Sequence, residues 1–302
     1  MRITKPNPPE SSPLLISASR ATDIPAFHSR WLMERLRAGF VDKVNPYNNK
    51  PQRINFSRAR AIIFWTKNPV PLQPYLPEII NLGLTPYFLF TLNDYETEGW
   101  EPNLPPLTER LEAFIRLADR LPPESVAWRF DPIALSGTMS AEKVLNRIRA
   151  IHNKIGHCTR KLIFSFVDIY PKVRRRLDKL GLDLREPEQN ERRQILMSLA
   201  DLKRENPSLS ICSCAEGGDG ELKNYGIERN SCIDAFLLAR LCPELANNTE
   251  LFAPALPGLF GGPSLKPLKD RGQRDQCRCA PSRDIGSYNT CGHGCVYCYA
   301  NR

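Results

Sequence analysis

Short runs of apolar, β-branched and aromatic residues alternate with longer amphipathic stretches over the first two thirds of the chain. The apolar runs predict buried strands at residues 14–17, 61–66, 87–92, 126–130, 162–167 and 209–213, with 41–45 as a weaker candidate. The amphipathic stretches predict helices at 27–38, 76–82, 107–120, 141–153, 172–180 and 191–205. Near-continuous apolar strands between helices are typical of a parallel sheet whose faces are covered.

Six or seven such strand–helix units favour an α/β fold of the (β/α)-barrel type, closed or partial. A doubly wound open sheet is the alternative, which periodicity does not distinguish, although no glycine-rich dinucleotide fingerprint follows residues 14–17. We expect residues 1–216 to form the barrel core. We expect residues 217–302 to form a cysteine-rich segment that folds over the barrel mouth within the same domain.

Polar residues recur where the predicted strands end, which is the edge where parallel α/β folds bind ligands. The candidates are Arg20, Asp23, Lys67, Asn68, Arg129, Asp131, Asp168 and Glu216. Arg129 stands out because Trp128 and Phe130 flank it in a run that should be buried. A buried charge needs a partner, and we expect Asp131 or Asp168 to supply it. A purely structural ion pair is the alternative.

Composition narrows the class of protein. The chain of 302 residues is 41% hydrophobic and 25% charged, which is ordinary for a globular protein. No apolar run approaches the ~20 residues of a membrane span, and the polar, proline-rich start does not resemble a secretory signal, so we expect a cytoplasmic protein. The net charge of +9 favours anionic partners. We interpret the basic run 172–176 as a solvated helix face, with nucleic-acid contact as the alternative.

The cysteines are concentrated at one end of the chain. Nine of the ten lie within the last 91 residues. Disulfide frameworks belong to small secreted domains, whereas tight local spacing in a cytoplasmic chain indicates metal binding or redox chemistry. The final group, Cys291, Cys295 and Cys298, has the spacing C-x3-C-x2-C. Three thiolates on one loop can hold three corners of a four-iron cubane and leave the fourth iron open.

Zinc is the alternative at this loop, with His293 as a fourth ligand. Gly292 and Gly294 supply the backbone freedom that a tight wrap around a cluster requires.

The tail resembles a known signature. C-x3-C-x2-C with Tyr297 before the last cysteine is similar to the motif of radical S-adenosylmethionine (SAM) enzymes, and residues 288–300 resemble the cluster loop of the spore photoproduct lyase branch. The whole chain also resembles an uncharacterised microbial family, domain-of-unknown-function family 1848. The motifs that carry this likeness are SASRATDIP at 17–25, FWTKNP at 64–69, WRFDP at 128–132 and the cysteine tail.

The radical SAM resemblance implies a 4Fe–4S cluster on the tail whose open iron binds SAM. It also implies an electron donor such as flavodoxin or ferredoxin, and a deoxyadenosyl radical that takes hydrogen from an unidentified substrate. Candidate residues for gripping SAM or substrate are Arg20, Lys67, Arg129, Asp131 and Asp168; candidate cofactor-binding residues are Tyr297, Asp23, Asn68 and Glu216. In typical radical SAM enzymes the cysteine loop follows the first strand. Here it ends the chain, which implies a circular permutation.

Four further cysteines suggest a second site. If folding brings Cys214, Cys232, Cys277 and Cys279 together, they would ligate an auxiliary iron–sulfur cluster or a structural zinc ion.

Two other functions compete with the radical SAM interpretation. One is a non-catalytic iron–sulfur or zinc protein, including an electron-transfer protein, and the other is an enzyme of nucleic-acid repair or modification.

Overall fold

The computed structural model describes residues 10–44, 49–214, 219–229, 231–255 and 264–301. Its strands are β1 (Glu10–Ser11), β2 (Leu15–Ser17), β3 (Phe40–Val44), β4 (Pro51–Asn55), β5 (Ala61–Thr66), β6 (Thr85–Thr91), β7 (Val126–Ile133), β8 (Lys161–Phe166), β9 (Ser210–Ser213), β10 (Glu228–Arg229), β11 (Phe252–Ala255), β12 (Ser264–Pro267) and β13 (Arg283–Asp284). Its α-helices are α1 (Ile24–Phe27), α2 (Ser29–Ala38), α3 (Leu76–Asn81), α4 (Leu107–Ala118), α5 (Ala141–Ile155), α6 (Pro171–Leu180), α7 (Gln189–Glu205), α8 (Asp219–Asn224) and α9 (Ala235–Leu241).

The main sheet has eight parallel strands in the order β13-β2-β5-β6-β7-β8-β9-β10. From β2 to β10 the order follows the sequence, so each new strand is added on the same side. The exception is β13, which pairs with β2 although it comes last in the chain. The last strand of the main sheet in the sequence therefore lies beside the first strand of that sheet.

The predicted barrel is wrong. In the described part of the chain the sheet is open, since its edge strands β10 and β13 pair only with β9 and β2. The reason lies on one face of the sheet, where Leu237 and Leu238 of α9 pack in one core with Ile63 and Leu89. A closed eight-stranded barrel has room inside for side chains only, whereas a helix is about 10 Å across.

The other face of the sheet carries the larger core. Ile62, Phe88, Trp128 and Phe164 alternate with the residues of the first face and are fully buried beneath the amphipathic helices. The prediction that the apolar runs form strands is confirmed. These strands are buried on both faces, which is why their sequences are almost continuously apolar.

The segment 217–302 supplies both edge strands of the main sheet, β10 and β13. Two smaller sheets are also present in the described residues. One has the strand order β1-β4-β3, and the other is the antiparallel pair β11-β12. No helix in the described ranges is long and apolar enough to cross a membrane.

Candidate functional site

The cysteine loop lies at the carboxyl end of the sheet. It follows β13, and it contacts Asp23, which follows β2, and Lys67, which follows β5. Asp284 fixes the approach to the loop, because its carboxylate accepts hydrogen bonds from the Ser17 hydroxyl at 2.9 Å and from the Arg20 backbone N–H at 2.8 Å. The tail is thereby anchored beside the first strands of the chain.

Asp23 joins three parts of the structure. One carboxylate oxygen caps α1 by accepting the Ala26 N–H at 3.0 Å. The other accepts the Lys67 N–H at 2.7 Å and lies 2.7 Å from Nε2 of His293. His293 is 3% exposed, and its ring contacts Phe27 edge-on. His293 is thus engaged as a hydrogen-bond donor to a carboxylate.

A second buried network holds the centre of the loop. Glu101 accepts hydrogen bonds from the Tyr297 hydroxyl and from the Lys67 ammonium, the latter at 2.7 Å. Asn93 donates to both Glu101 and the Tyr297 oxygen. Burial tends to raise the pKa of Glu101, but the Lys67 charge and these hydrogen bonds outweigh it, so this pKa lies below its ordinary value. Burial next to Glu101 raises the pKa of Tyr297.

Arg176 on α6 clamps the loop from outside. Its guanidinium donates to the carbonyl oxygens of Val296 at 3.0 Å, Cys298 at 2.9 Å and Asn301 at 2.5 Å. Lys172, one turn earlier on the same helix, donates to the Tyr299 carbonyl. The basic run predicted as a solvated face therefore turns two of its side chains onto the cysteine loop.

The chain after β6 supports the other side of the loop. Asn103 donates its side-chain amide to the Gly292 carbonyl at 2.8 Å and its backbone N–H to the His293 carbonyl at 3.2 Å. The two glycines of the loop differ in why a side chain is excluded. Gly294 has φ +70°, and a Cβ on Gly292 would lie 2.7 Å from the Phe27 ring.

Two of the three sulfurs of the loop accept backbone hydrogen bonds. Cys291 receives the N–H groups of Asp23 and His293, and Cys298 receives the Ala300 N–H at 3.3 Å. Cys295 is buried. Burial raises the pKa values of the Cys291 and Cys295 thiols, so without a bound cation both are protonated at neutral pH. All three are free thiols.

Arg129 has the partner that its buried position requires. It forms an ion pair with Asp131, and Asp131 also accepts the Ser165 hydroxyl. Asp168 is not part of this pair: it lies on the surface and binds Arg274 at 2.9 Å. The structure therefore brings Arg129 and Asp131 together and leaves Asp168 apart from them.

Arg20 lies between the two groups of cysteines. Its guanidinium stacks on Trp65 at 4.6 Å, hydrogen bonds to Cys279 and interacts with Asp284. Tyr299 is 41% exposed, and its hydroxyl donates to the Arg20 carbonyl at 3.3 Å. Arg20 therefore contacts both Cys279 of the second cysteine group and Tyr299 of the C-terminal loop.

The structure gives no hydrogen bond between the cysteine loop and the two other predicted cofactor-binding residues within the part of the chain that it describes. Asn68 forms a local turn, in which its side-chain oxygen accepts the Val70 N–H at 3.2 Å. Glu216 lies outside the described residues.

The four cysteines of the predicted second site lie together. The sulfurs of Cys214 and Cys232 lie 3.2 Å apart, and Cys279 hydrogen bonds to both Cys232 and Cys277. Accepting these two hydrogen bonds lowers the pKa of Cys279 well below its ordinary value. In the described ranges no three His, Cys, Asp or Glu side chains already stand in the arrangement that holds a metal ion.

A cavity of about 830 Å³ opens elsewhere, at the amino end of the sheet. Val126 and Ser210, the first residues of β7 and β9, line it together with basic residues such as Lys161 and Arg278. None of the candidate residues that the structure describes lines this cavity.

Sequence reasoning missed several residues that shape the site. They are Asn93, Glu101, Asn103, Arg176 and Asp284. The first four bind backbone or buried side chains of the tail, whereas Asp284 belongs to the tail and binds Ser17 and the Arg20 backbone. The one signal that pointed towards them was the position of Asn93 at the end of a predicted strand. The others lie in loops, on a helix or, for Asp284, in a strand of two residues, and their contacts depend on where the tail folds.

No curated protein and no solved structure matches this chain. A family model does match, over residues 15–300, and this range includes every described residue of the site. The chain therefore belongs to the family described as Domain of unknown function (DUF1848).

Proposed function

We propose that this protein is an iron–sulfur enzyme of the radical SAM type, with its cluster loop moved to the end of the chain by circular permutation. Cys291, Cys295 and Cys298 would hold a 4Fe–4S cluster, and SAM would bind at its open iron. Such a cluster supplies one electron for reductive cleavage of SAM, which generates a radical for hydrogen abstraction.

The donor set fits this group. Three free thiols lie on one short loop, and backbone N–H groups already point at the sulfurs of Cys291 and Cys298. Hydrogen bonds of this kind stabilise cluster thiolates and tune their potential. His293 is the alternative fourth ligand for zinc, but its Nε2 is bound to Asp23. The other ring nitrogen of His293, Nδ1, has no hydrogen-bond partner in the described structure, so zinc with His293 as the fourth ligand stays the alternative.

The surrounding residues have distinct tasks in this proposal. Asp23, Glu101 and Tyr297 direct their polar atoms into the protein, so we assign them to positioning the loop. Arg176 holds the loop backbone from outside. Arg20 and Arg129 each have a buried guanidinium nitrogen without a hydrogen-bond partner in the described structure, namely Nη2 and Nε respectively. Buried unsatisfied donors indicate a missing ligand, so these two cations would hold the SAM carboxylate or a substrate anion.

The pairing of β13 with β2 is the observation that carries the proposal. It places the cysteine loop after the strand that precedes β2, at the carboxyl end of a parallel sheet. That is the position the radical SAM loop occupies relative to its first strands, reached here from the other end of the sequence.

The proposal is tested by reconstituting the protein with iron and sulfide in the absence of oxygen. After reduction and addition of SAM we expect 5′-deoxyadenosine from the wild type and none from Cys298→Ser. Cys242→Ser is the matched control, because Cys242 is buried but lies outside both groups of cysteines. Iron bound at the loop without any SAM cleavage would instead favour an electron-transfer protein.

A further inference from the structure

We propose that Cys214, Cys232, Cys277 and Cys279 form a separate, closed metal centre that holds a single tetrahedral ion of the zinc class. The site is built from three distant parts of the sequence: the end of β9, the chain after β10 and the segment before β13. A structural ion at this point would tie the cysteine-rich segment to the sheet.

Three contacts link the four sulfurs in a chain. Cys214 and Cys232 are 3.2 Å apart, Cys232 contacts Cys279, and Cys279 contacts Cys277. Cys277 also interacts electrostatically with Cys214, so all four thiols belong to one group. None of the four forms a disulfide. Cys232 and Cys279 are 4% and 3% exposed, so the thiols are assembled in the interior.

The surroundings suit a cluster of thiolates. The backbone N–H of Ile233 donates to the Cys279 sulfur at 3.4 Å, and the Cys279 N–H donates to the Cys277 sulfur at 3.4 Å. The Arg20 guanidinium hydrogen bonds to Cys279, and the Arg129 charge acts on Cys214. Four thiolates around one divalent ion carry a net charge of −2, and these two cations reduce the repulsion among the thiolates although each also faces a carboxylate, Asp284 and Asp131 respectively.

Sulfur spacing favours one ion over a cubane. With Zn–S bonds of about 2.3 Å, the sulfurs of a tetrahedral site lie about 3.8 Å apart, close to the thiol contacts seen here. A four-iron cubane places its cysteine sulfurs at the outer corners of a larger body, well beyond thiol contact. Four protein ligands also fill the coordination sphere, which is the pattern of a structural rather than a catalytic zinc.

The test uses the full chain with the loop cysteines removed. In Cys291→Ala/Cys295→Ala/Cys298→Ala protein, elemental analysis should give about one zinc per chain and no acid-labile sulfide. Adding Cys232→Ser to this variant should abolish the zinc, whereas adding Cys158→Ser should not. The test is independent of the proposed function, because SAM chemistry needs the three cysteines that are absent from every one of these proteins.

Two results would overturn the inference: about four irons with matching sulfide in the loop-deleted protein, or no metal at all. If the Cys232→Ser variant does not fold, a second measurement tests the site without it. Cobalt(II) added to chelator-treated, loop-deleted protein should produce the visible and near-ultraviolet bands of a tetrahedral tetrathiolate site. Cobalt bands of an octahedral, oxygen-ligated ion would contradict it.

Discussion

Asp23 and His293 lie 270 positions apart in the chain, yet Oδ2 of one is 2.7 Å from Nε2 of the other. The same carboxylate caps α1 and accepts the Lys67 backbone N–H. This single side chain therefore couples the first helix, the end of β5 and the cysteine loop. Because every partner is a hydrogen-bond donor, the role depends on a carboxylate with two accepting oxygens.

Replacing Asp23 should cost more than the loss of a helix cap. We expect Asp23→Ala to lower the free energy of unfolding by about 3 kcal/mol, since a cap contributes about 1 and the remaining bonds to a charged group add the rest. Ser140→Ala is the control, because Ser140 caps α5 through Lys143 alone. Urea unfolding measures both, and equal losses would contradict the coupling role.

Arg176 should be needed for a loop that holds its metal. We expect Arg176→Ala to lose iron to a chelator at least ten times faster than wild type, since three loop carbonyls lose a charged donor. Arg175→Ala, the neighbouring residue with one weak bond to its own helix, should behave as wild type. Similar rates in the two variants would show that Arg176 is not a clamp.

The Glu101 carboxylate should make stability depend on pH. Its pKa is lower in the folded than in the unfolded chain, so it stabilises the fold above the ordinary carboxylate range and loses this effect as pH falls through its folded pKa. We expect Glu101→Gln to cost about 3 kcal/mol at pH 7, because it leaves the Lys67 charge unpaired. In denaturant titrations the difference from wild type should begin to shrink as pH falls below the ordinary carboxylate pKa of 4.5, and it should go on shrinking through the lower folded pKa. A constant difference would contradict this assignment.

The two tyrosines that flank Cys298 should differ in importance. The Tyr297 hydroxyl is buried against Glu101 and Asn93, so Tyr297→Phe leaves buried polar groups unpaired and should cost about 2 kcal/mol. The Tyr299 hydroxyl has one long bond in a half-exposed position, so Tyr299→Phe should change stability by less than ~0.5 kcal/mol. Thermal unfolding of the two variants compares them directly, and the reverse order would be evidence against the buried network.

Local sequence patterns predict the main strands and helices but not whether the sheet closes into a barrel. The predicted strands that correspond to β2 and β5 to β9 are confirmed. Strands buried on both faces consist of consecutive apolar residues, and such runs are visible in the sequence. The barrel was wrong because α9, which fills one face, lies in a segment where no helix was predicted. A strand of two residues such as β13 carries no periodic signal, although it decides where the tail lies.

The site was predictable where chemistry is local. The spacing of Cys291, Cys295 and Cys298 and the pairing of Arg129 with Asp131 follow from neighbouring residues. The contacts of Arg176 and Glu101 do not, because a charged residue on a helix or loop gives no indication of a partner 120 or 196 positions away.

Electron paramagnetic resonance of the anaerobically reconstituted, reduced protein tests the central claim most directly. We expect the signal of a reduced 4Fe–4S cluster whose g-values shift when SAM is added, and its loss in Cys298→Ser but not in Cys242→Ser. That result would place an open iron on the C-terminal loop. A cluster signal that SAM leaves unchanged, or a loop that binds zinc instead of iron, would contradict the account.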